Sequence, residues 1–227
     1  MELKPIAHIE TAFPEKFGIP RQSGLAHTIA RIVFEPKFRN EQALRGIEGF
    51  NYLWLIWQFE DVTRESTEGW SPTVRPPILG GNERMGVFAT RSPFRPNPLG
   101  LSSVKLAGIE TGNRGPELIV CGADLRNNTP IFDIKPYLAY ADIHYDATNG
   151  FASPSKWQVL HVNISHELRK LLSSQECEEL VSVLELDPRP AIHHDASRVY
   201  HMSYKHYTID FTVDDEQNEL FVTNIMA

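Results

Sequence analysis

Cysteine is scarce in this 227-residue chain: Cys121 and Cys177 stand far apart, and neither belongs to a CxxC or Cys/His array. That excludes a disulfide scaffold and fits a reducing compartment. Long apolar runs are missing too. "YLWLIW" from Tyr52 is far too short to span a bilayer, and "MELKPIAHIE" lacks the basic end and apolar run of a signal peptide. The expectation is a soluble, cytoplasmic protein with no membrane contact. No GxGxxG follows a strand and no GxxxxGK[ST] occurs, so a Rossmann site and a P-loop have no support. There is no GxSxG elbow for a serine hydrolase. His193, His194, Asp195, His201 and His206 crowd together without HExxH or another zinc spacing, so they read as surface and interface histidines and no metal is expected.

What is present is an ordinary globular composition, 41% hydrophobic and 10% aromatic, long enough for a core without staples. The formal charge of −7 argues against generic nucleic-acid coating. Its distribution is uneven. Between Thr73 and Leu106 lie five basic residues (Arg75, Arg84, Arg91, Arg95, Lys105) and one acid, Glu83, a balance suited to a confined anionic target.

Residues 1 to about 148 read as short strands between turns: "IAHIETAF", "AHTIARIVF", "YLWLIWQF" and "ELIVCGAD", with one short helix predicted at "NEQALRGI" from an Asn40 cap. Strands without regular intervening helices favour a β-barrel or compact sheet over a doubly wound fold. Residues 149–227 read as a small α+β domain. It holds a strand in "KWQVLHVNI", a helical stretch with capping-box spacing at Ser173 and Glu176, and a stop at "DPRP". Alternation through Tyr207, Ile209, Phe211 and Val213 and the turn "DDEQNE" complete a hairpin. The fold class expected is mainly β, an N-terminal barrel with a small α+β domain.

Two stretches are dense in chemistry. In "ATRSPFRPNPLGLSS", Pro93, Pro96 and Pro98 fix φ, remove donors and restrict their predecessors, so Arg91 and Arg95 sit on a loop stiffened before any ligand arrives. Arginine's fork suits carboxylates and phosphates, yet such arginines also serve in structural ion pairs. "CGADLRNNTPIFDIKPYLAYAD" places Asp124, Asp133, Lys135, Tyr137 and Tyr140 around two more prolines. Its carboxylates and tyrosines can bind an adenosine-bearing ligand or accept a proton, or simply belong to an edge strand.

Together, "GIPRQSGLA" (Gly18–Ala26), "VRPPILGGNERMGVFATRSPFRPNPLGLSSVKL" (Val74–Leu106), "NTPIFDIKPYLAYAD" (Asn128–Asp142) and "DPRPA" from Asp187 closely resemble the TrmO/YaeB family of tRNA methyltransferases. The resemblance implies S-adenosylmethionine as cofactor, bound by a β-barrel near the interface of a homodimer. The implied substrate is N6-threonylcarbamoyladenosine at position 37, beside the anticodon, in threonine tRNA. Position by position, it implies cofactor contact for Pro20, Arg21 and Gln22, for Arg91 and Leu101, and for Asp124, Leu125, Arg126 and Asn127. The family pattern "GFSHLW…FH" stands here as "GFNYLW…FE", so Tyr52 and Glu60 replace histidines, with Glu60 and Asp61 at the border of the cofactor site. Asn127 and Asn128 depart from "DGTPVLDIKPY".

For the chemistry, Asp133 is the first candidate for base or orienting carboxylate, Tyr137 the second, and Arg95 with Arg91 the holder of anionic groups. The competing classes are a non-catalytic S-adenosylmethionine sensor and a plain tRNA anticodon-loop binder, which would differ in turnover and in salt response.

Overall fold

The computed structural model describes residues 2–59, 70–153, 159–190 and 193–227. The molecule is mainly β. The N-terminal part contributes β1 (Ala7–Glu10), β2 (Ile29–Phe34), β3 (Tyr52–Gln58), the two-residue strands β4 (Thr73–Val74) and β5 (Met85–Gly86), then β6 (Leu99–Gly112), β7 (Gly115–Cys121) and β8 (Pro130–Pro136). Six of these pair antiparallel in the order β1-β2-β7-β6-β3-β8, and β8 returns to β1, so the ring of pairings closes. β4 and β5 form a separate hairpin.

Period-two patterning explains the ring's interior. Along β3, Leu53, Leu55 and Trp57 are buried while Tyr52, Trp54 and Ile56 take the other face. The inward residues meet Ile9, Ile32, Leu118, Leu125 and Ile131 in one core. Each such side chain contributes about 1.5–3 kcal/mol relative to exposure. β6 serves two neighbours. Its first half pairs with β3, and from Lys105 onward it pairs with β7, with a bulge between Leu106 and Gly108 at the change.

After the short helix α1 (Ala139–Asp142), the chain builds β9 (His161–Ile164), α2 (His166–Arg169), α3 (Ser174–Leu184), β10 (Tyr200–Tyr204), β11 (Tyr207–Asp214) and β12 (Glu219–Met226). The sheet order is β10-β11-β12-β9, with only the β12–β9 pair parallel. Leu180, Val183 and Leu184 of α3 share a core with Ile209, Phe211 and Leu220. Buried Glu179 is satisfied there by Tyr204 Oη (3.0 Å), Gln175 Nε2 (2.8 Å) and Lys205 Nζ (3.3 Å).

The helix expected at "NEQALRGI" is instead two 3-10 turns, Glu41–Leu44 and Ile47–Gly49. Asn40 does cap, accepting from Gln42 N, but Gly46 turns left-handed at φ 87° and ends the run. The first residues of "KWQVLHVNI" lie outside the described residues. β10 has no counterpart among the expected strands. Among the described residues, no helix is long and apolar enough to cross a membrane.

One segment joins the two cores. Ala12, Phe13 and Ala26, from the excursion between β1 and β2, are buried in the C-terminal core. Lys205 N donates to Ala12 O (2.7 Å) and His27 N to Ser182 Oγ (3.0 Å). Gly18, at φ 96°, lies against Met202, where a Cβ would approach Sδ to 2.4 Å.

The expected capping box is present. Ser173 Oγ accepts from Glu176 N (3.2 Å), and the Glu176 carboxylate accepts from Ser173 N (3.0 Å). Ser173 N–H, then its hydroxyl, hold the Glu176 carboxyl below its ordinary value of 4.5. Because the folded value is depressed, this contribution is complete above 4.5 and is lost as pH falls through the folded value. Ser173→Ala should therefore destabilise by about 1 kcal/mol in urea unfolding near neutral pH, and the deficit should shrink in acid.

Candidate functional site

A cleft of about 820 Å³ opens where the β1–β2 excursion, the proline loop and the ring meet. One wall is Pro20, Arg21 and Gln22, the opposite wall is Arg91, Phe94, Arg95 and Leu101, and Trp57, Asp124 and Arg126 line its base. Among the described lining residues, five are cationic (Lys16, Arg21, Arg91, Arg95, Arg126) and Asp124 is the only carboxylate.

The walls are tied together. Arg91 Nη1 donates to Gln22 Oε1, Gln22 Nε2 donates to Arg21 O (2.5 Å), and Arg21 Nη2 donates to Asp187 O (3.2 Å). The proline loop, the "PRQ" segment and the "DPRP" turn are thus consecutive members of one hydrogen-bonded chain. The turn itself is fixed from behind. Buried Arg189 spans both oxygens of Asp187 (2.8 and 2.9 Å) and reaches Asp215 (2.6 Å). The Arg189 guanidinium, and after it His194, hold the Asp215 carboxyl below the usual range.

The two loop arginines do different work. Arg91 reaches across the cleft, whereas Arg95 Nη1 folds back to the carbonyls of Thr90 (3.1 Å) and, more weakly, Ser92 (3.5 Å). Further local bonds stitch the loop: Thr90 Oγ1 to Val87 O (2.8 Å) and Arg95 N to Pro93 O (2.8 Å).

Asp124 projects from the segment after β7. Its Oδ1 accepts from Ser102 Oγ (2.5 Å), and Ser102 Oγ accepts from Trp57 Nε1 (2.9 Å). Burial pushes the Asp124 carboxyl above its ordinary value, opposed by the Ser102 bond, its own N–H, the Arg91 charge and Ser23 N–H. The cleft therefore offers a cationic rim for an anion and one half-buried acceptor for hydroxyl or amino protons.

Of the residues expected at the site, Pro20, Arg21, Gln22, Arg91, Arg95, Leu101, Asp124 and Arg126 line this cleft. Leu125 points into the ring's core, and Asn127 Oδ1 accepts from Thr11 N (3.0 Å), so neither lines it. Asp133 sits opposite Ile56 on the ring's outer face, paired with Lys135 Nζ (3.2 Å) and capping Ile134 N. Tyr137 packs its ring on Tyr52 and Trp54 (centroids 6.2 and 5.4 Å). Neither Asp133 nor Tyr137 lines the cleft. A bulge where β8 passes Ile56 and Trp57 inserts one extra residue, so Ile131 faces inward with Trp57 while Asp133, two residues on, faces outward with Ile56. Glu60 and Asp61 lie outside the described residues. Ser102, Trp57 and Phe94 were not expected. The signal that could have found the first two is Gly100, a strand glycine directly opposite Trp57. No group of three His, Cys, Asp or Glu able to hold a metal occurs among the described residues.

The sequence matches two family models: the tRNA-methyltransferase O N-terminal domain over residues 8–143 and the TrmO C-terminal domain over 158–227. The chain belongs to the TrmO family. It is 36% identical over 229 residues to an Escherichia coli K12 protein named tRNA (adenine(37)-N6)-methyltransferase, covering 97% of this chain and 96% of that one. A Pseudomonas aeruginosa protein, named as a candidate S-adenosylmethionine-dependent methyltransferase, is 40% identical over 197 residues (83% and 82%). The crystal structure of TrmO from Pseudomonas aeruginosa superposes with a TM-score of 0.79 at 30% identity, covering 100% of this chain and 99% of that one.

Since Arg95 spends its fork on the loop's own carbonyls, Arg95→Ala should speed amide exchange across residues 90–99 severalfold while global stability moves by only about 0.5 kcal/mol. Hydrogen exchange by mass spectrometry reads both.

Proposed function

We propose that this TrmO-family chain uses S-adenosylmethionine to methylate N6 of N6-threonylcarbamoyladenosine at position 37 of tRNA, with threonine tRNA as the substrate. The observation that supports it most is the hydrogen-bonded union of Gln22, Arg91 and Arg21 around the cleft that also holds half-buried Asp124. Under this reading residues 1–148 are the catalytic, cofactor-binding β-barrel domain and 149–227 the small α+β domain that secures it. A tRNA-modifying role puts the protein in the cytoplasm.

The donor set fits the cofactor's chemistry. Its aminocarboxylate asks for a guanidinium such as Arg91 or Arg21, its ribose for an acceptor such as Asp124, and its purine for apolar or aromatic faces such as Leu101 and Phe94. When bound, S-adenosylmethionine supplies a methyl group on a positively charged sulfur that leaves as a neutral thioether. The residues' task is to align the incoming nitrogen and to exclude water. The prolines and the Arg95 bonds keep the loop from needing to be ordered on binding. Cations not spent on the cofactor are available to the substrate's threonyl carboxylate or to a tRNA phosphate.

We further propose a homodimer. Leu101 (56% exposed), Phe94 (55%) and Tyr52 (45%) leave apolar surface beside the cleft, and Asp133 and Tyr137 lie on the same side of the ring. Acting as base or orienting groups from there, they would serve a cleft formed against a second copy.

Incubation with S-adenosylmethionine and bulk tRNA, followed by nucleoside mass spectrometry, should show a one-methyl mass gain on threonylcarbamoyladenosine from threonine tRNA. Cofactor binding without turnover on any tRNA would leave a sensor in its place, and tRNA binding indifferent to cofactor would leave a plain binder.

A further inference from the structure

Trp57 and Ser102 are buried, at 7% and 1% exposure, yet they stand directly behind the cleft's only described carboxylate. The indole N–H can only donate, so the lone pair it takes on Ser102 Oγ leaves the hydroxyl hydrogen free to point elsewhere. The acceptor at hand is Asp124 Oδ1, at 2.5 Å. The order of donation is therefore fixed: indole to hydroxyl, hydroxyl to carboxylate. The indole is fixed in turn. Gly100 is its register partner across the β3–β6 pair, and a Cβ at Gly100 would lie 2.2–2.6 Å from three indole carbons. Phe59 closes the other side in a T-shaped contact at 4.4 Å.

We infer that Trp57 and Ser102 are positioning residues of the site, a two-bond relay that aims the Asp124 carboxylate into the cleft as an acceptor for the hydroxyl or amino protons of the cofactor. The relay rests on the cofactor reading above but makes claims of its own. Ser102 does not line the cleft and acts through Asp124; Trp57, whose ring also lines the cleft's base, acts on Asp124 through its N–H. The groups that bear on that carboxylate come from every side of the cleft. Ser102 approaches from β6, Ser23 N–H from the β1–β2 excursion and the Arg91 charge from the proline loop, while Lys16, Arg21, Arg95 and Arg126 are the other charged groups lining the same cleft. Ser102 supplies the largest of the influences that keep Asp124 ionised against its burial.

The sign follows. Asp124 already titrates above its ordinary value, and removing the Ser102 donor raises it further. A carboxylate that must accept hydrogen bonds to hold the cofactor works only above its folded pKa, so the acid limb of binding moves to higher pH.

The test uses Ser102→Ala, Trp57→Phe and the rescue Ser102→Thr in the full chain, with two readouts. In the ligand-free protein, carbon-13 NMR titration of Asp124 should show a higher midpoint in Ser102→Ala than in wild type, returning towards wild type in Ser102→Thr. By calorimetry, S-adenosylmethionine should bind Ser102→Ala about tenfold more weakly near neutral pH, with a steeper loss on acidification. Trp57→Phe should give the same direction with a smaller shift. An Asp124 midpoint unchanged in both Ser102→Ala and Trp57→Phe would overturn the relay, and so would a binding pH profile that only scales down without moving. Should one of those variants fail to fold, the other decides: a raised Asp124 midpoint supports the relay and an unchanged one overturns it. Failure of wild type to bind S-adenosylmethionine would count against the cofactor reading alone, since the titration tests the relay without it.

Discussion

The cleft exists because the chain between β1 and β2 is held by two cores at once. This excursion leaves the ring at Glu10, buries Phe13 among the side chains of the C-terminal sheet, and returns through Ala26 and His27. Gly18 lets it turn with a left-handed φ where Met202 leaves no space for a Cβ. Pro20, Arg21 and Gln22 ride on this stretch, so their position is set by packing at both ends. The second core is therefore part of the site's architecture, and the bond from Arg21 Nη2 to Asp187 O ties a lining residue to the C-terminal part directly. Removing the C-terminal sheet would strip the support from one cleft wall without touching the ring.

The cleft's electrostatics follow from what its arginines are bonded to. Arg91 donates to a side-chain amide, and Arg21 and Arg95 to backbone carbonyls. Neutral acceptors fix a guanidinium in place and leave its net charge uncancelled. A second set of arginines, on β2 and the β6–β7 turn, shows the contrast. There Arg31 and Arg114 are shared among Glu10, Glu110 and Glu117, at 2.6–2.8 Å, in a network whose charges largely neutralise each other. Arg21, Arg91 and Arg95, held by neutral acceptors, keep their field for an incoming anion, against a protein of formal charge −7.

Much of the fold was legible because β11 alternates, because β3 is an aromatic, β-prone run, and because Ser173 and Glu176 announce the start of α3. Two features hid the rest. β10, "YHMSY", is five residues long with polar residues between its buried ones, and gives little to count. "NEQALRGI" has a cap and helix formers, but Gly46 takes a conformation that stops a helix after one turn. At the site, the proline–arginine loop could be read as stiff because proline's constraint is local. The partners of its arginines could not, since Arg95 bonds to backbone carbonyls, which every sequence offers. The role of Asp133 turned on which face of β8 it occupies, and a one-residue register change reverses that. Ser102 and Ser103 are indistinguishable in the sequence for the same reason, yet only one of them faces Trp57.

Gly100 shows how close these tolerances are. The β3–β6 register sets it opposite Trp57, and the absent side chain is what the indole occupies. With the indole there, its N–H meets Ser102 two residues along the same strand, and Ser102 meets Asp124. A backbone feature of one strand pair is thereby passed, through two hydrogen bonds, to the orientation of a carboxylate on a different segment. A methyl transfer of the kind proposed asks the protein for alignment rather than for a covalent partner, and misplacement of about 1 Å is enough to cost two orders of magnitude. Such a reaction suits a site whose loop is stiffened by proline, whose Arg21, Arg91 and Arg95 are pinned by neutral acceptors, and whose one described carboxylate is aimed from inside a closed ring of strands.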